Sequence, residues 1–358
     1  MTLNQVNAFW RTAWLKPLND PHAWNTLLQY INPLWSLTRT QAKVLDVEWH
    51  NKDMFSLTLK PNRFFKGHQA GQHISLELDI NGARKSRTFS ISNAPQANGQ
   101  IRLSIKINPN GWASKAASQL KVGQIVGISQ ASGIFTPAIS ERPVLLISAG
   151  SGITPMMAML NHWAQQKNKP NVLMLHCCRN PEQLIFTKEI ETLVHQWPEL
   201  VIKYHFSETS GHLNAEHLIA AATDYAQRDA YLCGPSGLMD TLSAFYQAQG
   251  LSAQLNKEQF DQWQFFVDED AESFDIYHDA RKSNFVALRG QSLLEAAEDH
   301  GLKPKHGCRR GICMSCQCWK KSGIVHNHLT DKPTSDGAEW IQLCISTPLS
   351  NVHLDLKD

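Results

Sequence analysis

The sequence predicts a multidomain protein: an antiparallel β-barrel, an α/β domain on a parallel sheet, and a smaller α+β unit. Three observations carry this. From about 38 to 140, apolar and polar residues alternate at period two between Gly- and Asn-rich turns. From about 141 to 250, the rhythm becomes strand, helix, strand, helix. From 273 to 358, short strands and one capped helix surround the spacing Cys308-x4-Cys313-x2-Cys316, with Cys344 far downstream. A chain of 358 residues accommodates two to three such domains.

The barrel pattern is explicit in two strands. His73–Ile80 places Ile74, Leu76, Leu78 and Ile80 on one face and runs into Asn81-Gly82, a hairpin turn. Ile101, Leu103, Ile105 and Ile107 alternate in the same way with Arg102, Ser104 and Lys106. In the α/β stretch, Val144–Ile147 reads as a buried strand, and Asn171–Cys178, Val201–Ser207 and Asp229–Cys233 read as further strands of a parallel sheet. Residues 251–272 are polar, turn acidic and show no clean period, so they read as a linker. Two short strands follow, Phe274–His278 and Asn284–Leu288; Ser292-Leu-Leu-Glu295 is then a capping box that opens a helix ended by Gly301.

The cysteine spacing fits a [2Fe–2S] cluster, held by Cys308, Cys313, Cys316 and Cys344. Four thiolates must converge on two irons, so three come from one tight loop and one from a distant strand. Gly307 and Gly311 let the loop curl and aim amide N–H groups at the sulfurs. Zinc knuckles prefer paired C-x2-C spacings, so the x4 gap fits zinc poorly. The other cysteines, Cys177, Cys178, Cys233 and Cys318, show no disulfide framework.

Composition is that of an ordinary globular protein, with 42% hydrophobic and 18% charged residues. A net charge of +2 gives no electrostatic case for nucleic acid. Residues 1–16 lack the apolar core of a signal peptide, and no apolar run reaches the ~18 residues of a membrane span. The expectation is a cytoplasmic protein. Residues 1–37 form a Trp-rich N-terminal extension, with Trp10, Trp14, Trp24 and Trp35 broken by three prolines. Two readings stay open for it: indoles packed on the body of the protein, or peripheral docking on a membrane or a membrane-bound partner.

Within the barrel, Arg87-Thr88-Phe89-Ser90 ends a strand and offers a cation, a ring and a hydroxyl. Such a tetrapeptide is also ordinary strand sequence. Gly111-Trp112-Ala113-Ser114 opens a helix whose N–H groups suit a phosphate, or merely a turn and cap. After the first α/β strand comes Gly150-Ser151-Gly152-Ile-Thr154-Pro155, where glycines permit close approach to a diphosphate and Pro155 suits a first helical turn. Cys233-Gly234-Pro235 ends another strand of that sheet, where α/β proteins bind ligands.

Taken together, these motifs resemble the ferredoxin–NADP⁺ reductase superfamily: its R-x-Y-S, G-x-G-x-T-P and C-G-P motifs, followed by a plant-type ferredoxin domain. The resemblance covers about 38 to 358. It implies a 38–140 FAD-binding barrel, a 141–250 NAD(P)-binding domain and a 273–358 β-grasp ferredoxin domain. It implies that Arg87 and Thr88 meet flavin, with Arg87 on a phosphate, Phe89 on the ring and Ser90 near N5. Ile105, Lys106 and Ile107 then offer backbone groups, and Trp112, Ala113 and Ser114 cradle a pyrophosphate, which favours FAD. Gly150, Ser151, Gly152, Thr154 and Pro155 hold the pyridine nucleotide diphosphate. Cys233, with Gly234 and Pro235, lies by the nicotinamide, and Ser90 and Cys233 are the catalytic pair.

Two departures stand out. Phe89 replaces the family's Tyr, and Gly211-His212 replaces Gly-Arg, so Arg179 is the remaining candidate for a 2′-phosphate; NADPH is expected and NADH stays open. The implied activity passes electrons from NAD(P)H through FAD and [2Fe–2S] to an acceptor protein. The Trp-rich start is similar to reductases of membrane fatty-acyl desaturases, and a Rieske-type or other oxygenase component is the alternative acceptor. A redox-sensing or structural metal module without electron throughput is the reading from another class. Arg309 and Arg310, beside the cluster motif, suit either an acidic partner surface or a solvated loop.

Overall fold

The computed structural model describes residues 30, 32, 34–36, 39–80, 83–109, 111–138, 141–259, 267, 270–279, 283–307, 309–311 and 314–356. Most of the Trp-rich extension, the Asn81-Gly82 turn, Cys308 and Cys313 therefore lie outside the described residues.

Period-two alternation does what it predicts. Strands β1 (Gln41–Asn51), β2 (Met54–Pro61), β3 (His73–Ile80), β4 (Ala83–Ser90), β5 (Ile101–Lys106) and, after helix α1 (Trp112–Ser118), β6 (Ile125–Gly127) make the first domain. A four-stranded sheet in the order β5-β2-β1-β6 faces the β3-β4 pair, all antiparallel. Isolated bridges at His73–Ser132, Leu76–Ile128 and Ile91–Leu103 join the two into a barrel. Val44, Leu57, Ile74, Leu76, Leu103 and Ile105 fill its interior. Ser104, on the other face of β5, is also buried, because its hydroxyl joins Ser56 and Ser92 (2.7 Å each) beneath the second domain.

The second domain is a parallel sheet of β7 (Val144–Ala149), β8 (Val172–Cys178), β9 (Leu200–Phe206), β10 (Asp229–Gly234) and β11 (Leu255–Gln259), in the order β11-β10-β7-β8-β9. Helices α2 (Ile153–Ala164), α3 (Thr187–Gln196), α4 (Ala215–Ala221) and α5 (Ser236–Ala248) cross over between strands. The linker expected at 251–272 is corrected here, because 255–259 is the fifth strand of this sheet. It escaped notice because an edge strand carries Asn256, Lys257 and Glu258 where a central strand would be apolar.

Barrel and sheet share a core. Met54, Ala70 and Phe135 of the barrel pack with Met159, Tyr231 and Cys233 in one apolar cluster. The Tyr231 hydroxyl accepts the Ala138 N–H at 2.8 Å. At the rim, Arg102 on β5 grips Glu189 on α3 through two bonds of 2.9 and 3.1 Å. The guanidinium also lies over the Phe186 ring, 4.8 Å from its centroid.

The third domain has β12 (Ser273–His278), β13 (Ser283–Leu288), helix α6 (Leu293–Asp299), β14 (Gln317–Ser322), β15 (Val325–Asn327), β16 (Lys332–Pro333), β17 (Glu339–Gln342), β18 (Ser346–Pro348) and β19 (Val352–Asp355). The main sheet runs β13-β12-β19-β14-β17, with β12 and β19 parallel at its centre and α6 packed across it, a β-grasp arrangement. The capping box forms as read: Ser292 Oγ accepts the Glu295 N–H at 3.1 Å, a cap worth ~1 kcal/mol. Lys320 is wholly buried on β14. Its ammonium donates to the carbonyls of Gly323, Ser335 and Gly337 at 2.6–2.8 Å, which fixes the 323–337 loop over the sheet.

Candidate functional site

The site lies where the carboxyl ends of the parallel strands meet the barrel. Strand β7 leads into a single 3₁₀ turn, Gly150–Gly152, and that turn leads into α2. Gly150 takes φ +55°, a left-handed conformation glycine adopts freely. Gly152 serves packing: a Cβ there would fall 2.0 Å from the Cys233 carbonyl oxygen. The nucleotide loop is thus pressed against the end of β10. The sequence motif assigns these glycines to ligand approach, and at Gly152 the close neighbour is the protein itself. Thr154 Oγ1 donates to the Ser151 carbonyl at 2.9 Å and tightens the turn.

Between this loop and the barrel opens a cavity of about 130 Å³. Arg87, Thr88, Phe89 and Ser90 of β4 form one wall, and Ser104, Ile105 and Lys106 of β5 continue it. Ser151 and Thr154 face them, and Arg310, from between the cluster cysteines, closes the space. Folding therefore brings together the barrel motif, the nucleotide loop and the cluster loop, which lie more than 150 residues apart in sequence at their extremes. Three cations and an aromatic ring line the cavity, and no carboxylate does among the described residues. An anionic, flat, partly apolar ligand fits that set of groups. A smaller recess of about 20 Å³ shares Lys106 and runs past Gly150 to Cys178 and Gln183.

The remaining predicted residues fall into four groups. Trp112, Ala113 and Ser114 open α1 outside the cavity lining; Ser114 Oγ accepts the Asn108 N–H at 2.9 Å, and Lys85 Nζ lies 5.8 Å from the Trp112 ring centroid. The Ile107 N–H is committed to the Asp53 carbonyl at 2.7 Å, which leaves the Ile107 carbonyl as its backbone group to offer. Cys233 is fully buried in the shared core, with Gly234 closing β10 and Pro235 capping α5, and Pro155 is buried in the first turn of α2. Arg179 is exposed at the carboxyl end of β8, beside the short 207–210 turn, and its carbonyl accepts the Glu208 N–H at 3.0 Å.

Ser104 and Arg310 of the lining, and Glu258 behind Ser90, were not read from sequence as site residues. Glu258, on β11, sits opposite Cys233 in the parallel register and is 5% exposed. Its carboxylate accepts from Ser90 Oγ (3.4 Å) and meets His73 Nδ1 (3.3 Å), while His73 Nε2 lies 3.2 Å from Ser132 Oγ. A carboxylate only accepts, so the proton of this contact sits on Nδ1. The signal available in sequence was a lone carboxylate in a strand-like pentapeptide, which by itself says nothing about burial.

At the cluster motif, Cys316 and Cys344 are buried with their sulfurs 3.2 Å apart, well beyond a ~2.05 Å disulfide bond. The Gly311 N–H points at Cys344 Sγ at 3.3 Å, and Gln342 Nε2 donates to the Gly311 carbonyl at 2.6 Å. Converging thiols with an amide aimed at them suit thiolate ligands. Elsewhere, burial pushes the thiols of Cys177 and Cys318 up to about 12 and raises that of Cys178, so these are inert structural cysteines. Buried His176, on β8, bonds Ser148 Oγ at 2.8 Å, and burial lowers its pKa to about 4. It is a neutral core histidine.

Comparison with known proteins follows this geometry domain by domain. Residues 43–136 match the oxidoreductase FAD-binding domain family, 146–244 the oxidoreductase NAD-binding domain family, and 276–349 the 2Fe-2S iron-sulfur cluster binding domain family. Over 339 residues the chain is 28% identical to an NADPH oxidoreductase of Mycobacterium tuberculosis, covering 92% of this chain and 87% of that protein. Over 365 residues it is 26% identical to a glycine betaine monooxygenase reductase subunit of Pseudomonas aeruginosa, covering 91% and 99%. The solved structure of phthalate dioxygenase reductase shares the fold, with a TM-score of 0.59 at 22% identity over 88% of this chain and 97% of that one.

Fold and site together define an NAD(P)H-dependent flavoprotein oxidoreductase that uses FAD and a [2Fe–2S] cluster. More narrowly, the chain is a ferredoxin–NADP⁺ reductase-like electron-transfer protein with a C-terminal ferredoxin domain. Among the described residues no helix is long and apolar enough to cross a membrane.

Proposed function

We propose that this protein is the reductase component of an iron-dependent oxygenase system, drawing electrons from NADPH and delivering them to an oxygenase partner. The single observation that carries this is the cavity at which Arg87–Ser90, Ser151–Thr154 and Arg310 meet. It puts the flavin motif, the nucleotide loop and the cluster loop within one site, as serial transfer requires. A bound flavin takes a hydride's two electrons and releases them singly, and a [2Fe–2S] cluster carries one at a time.

The chain's own residues do the rest. Arg87 and Lys106 supply charge to the flavin nucleotide, Phe89 supplies a ring face, and Thr88 and Ile105 shape the wall. Ser90, held by Glu258, would position a proton for the bound flavin, and buried Cys233 fixes the end of β10 against Gly152, where the nicotinamide would be received. Gly150, Ser151 and Thr154 take the nucleotide diphosphate, with Arg179 as the exposed cation for a 2′-phosphate. Cys308, Cys313, Cys316 and Cys344 hold the cluster. The division is a barrel at 38–140, a nucleotide domain from 141 that β11 extends to 259, and a ferredoxin domain from 273.

Similarity to a monooxygenase reductase subunit along nearly its whole length supports an oxygenase component over a membrane fatty-acyl desaturase. The Trp-rich stretch that suggested the desaturase lies largely outside the described residues. The test is reconstitution of the purified protein with a Rieske-type oxygenase and, separately, a membrane di-iron desaturase. NADPH-driven turnover of the oxygenase supports the proposal; turnover of the desaturase alone overturns it. A redox sensor would fail to reduce cytochrome c with either nucleotide.

A further inference from the structure

The paired arginines of the cluster loop part company in the structure. Arg309 adopts φ +55°, a left-handed backbone rare outside glycine, so consecutive side chains leave the loop in different directions. Its guanidinium turns back onto its own domain, against Glu298 of α6 and His306. Arg310 is 4% exposed, and it lines the flavin-motif cavity with Arg87 and Lys106. For Arg310 the sequence reading as a partner-docking or solvated residue is thereby corrected, while Arg309 stays partly exposed. The third domain thus brings a buried cation to a cavity that the barrel lines with Arg87 and Lys106, a set of groups that suits an anionic ligand.

We infer that Arg310 is part of the flavin site, contributed by the ferredoxin domain. Its guanidinium grips an anionic oxygen of the bound flavin nucleotide, so that flavin occupancy clamps the cluster loop against the barrel. The flavin then holds its own electron acceptor in place. A freely swinging ferredoxin domain would lose this cation from the site each time it left. The inference rests on the assignment of this cavity to flavin.

The experiment compares hydrogen exchange of residues 309–316 in the full-length, cluster-containing protein with and without FAD. Loading FAD should slow exchange in this loop at least fivefold. Arg310→Gln should abolish that protection and Arg310→Lys should restore part of it, with the cluster's visible absorption unchanged. In Arg310→Gln, NADPH-driven cytochrome c reduction should also fall at least tenfold more than ferricyanide reduction. Unchanged loop exchange on FAD loading, or loss of cluster absorption in Arg310→Gln, overturns the inference. Arg87→Ala separates the two ideas. If it keeps wild-type FAD affinity, the flavin assignment fails; if it loses FAD while Arg310→Gln behaves as wild type, the clamp alone fails.

Discussion

Ser90 Oγ and Glu258 Oε2 stand 3.4 Å apart, although one ends a barrel strand and the other lies on the edge strand of the nucleotide sheet, 168 positions away in the chain. The distance is at the long end for a hydrogen bond, and the carboxylate acceptor strengthens it. Glu258 also holds His73, so the serine is oriented by a buried carboxylate that is itself oriented. Glu258→Gln preserves shape and removes the strong acceptor. Stopped-flow measurement of flavin bleaching by NADPH should show at least a ~10-fold slower rate, since positioned proton-transfer groups contribute ~10²–10⁴. A rate within twofold of wild type would reduce Glu258 to a packing role.

Gly152 and Gly237 make opposite predictions from the same substitution. At Gly152 an added methyl meets the Cys233 backbone at 2.0 Å, and backbone in a sheet cannot move aside cheaply. Gly152→Ala should destabilise the nucleotide domain by about 1–3 kcal/mol, the usual overpacking cost. Gly237 lies in the first turn of α5 with nothing within 4 Å of the new atom. Gly237→Ala should be neutral or stabilise by ~0.4–1 kcal/mol through the unfolded chain. Thermal unfolding of both variants checks the contrast, and equal effects would remove the steric explanation.

Much of this architecture was legible in the sequence because its signals are periodic or rigidly spaced. Ile74, Leu76 and Leu78 declare their face by alternation, and Ser292 and Glu295 declare a helix start by their chemistry. Cys316 and Cys344 announce a shared site through spacing alone. What stayed hidden is what only tertiary contact defines. Glu258 and Lys320 look like surface residues, and both are buried because partners from distant segments satisfy them. Arg310 looks solvated beside Arg309, and only a left-handed residue tells the two apart. The polar edge strand β11 lacks the apolar run that identified β7 and β8.

Buried His176 gives a pH dependence of definite sign. Burial lowers its folded pKa to about 4, below the ordinary histidine value of 6.5, so protons bind the unfolded chain more tightly. Its contribution to stability is whole above pH 6.5 and is lost as pH falls towards 4. Between pH 7 and 5 linkage puts the loss at about 2 kcal/mol. Thermal unfolding across that window should show a falling midpoint in the wild type and a flatter profile in His176→Gln. The same slope in both proteins would assign the effect to other groups.

Gln342 also holds the cluster loop. Its amide nitrogen donates to the Gly311 carbonyl and lies 2.6 Å from Met314 Sδ, so one side chain spans the loop just before Cys344. Gly311 is itself confined: its φ is +76°, and a Cβ there would meet Ile345 at 2.6 Å. The turn that aims the Gly311 N–H at Cys344 Sγ is thus fixed by Ile345 on one flank and Gln342 on the other. Gln342→Leu keeps the bulk, strands a buried carbonyl at a cost of ~1–3 kcal/mol, and frees Met314. Loss of amide support and loop order should shorten the lifetime of the cluster's visible absorption in air by about 10-fold, in line with the 10–100-fold effects of residues that support metal ligands. Flavin content should fall far less than the cluster signal, because Gln342 is not in the lining of the flavin-motif cavity and reaches it only through the loop that carries Arg310. Parallel loss of flavin and cluster would mean the substitution unfolds the domain rather than loosening the loop.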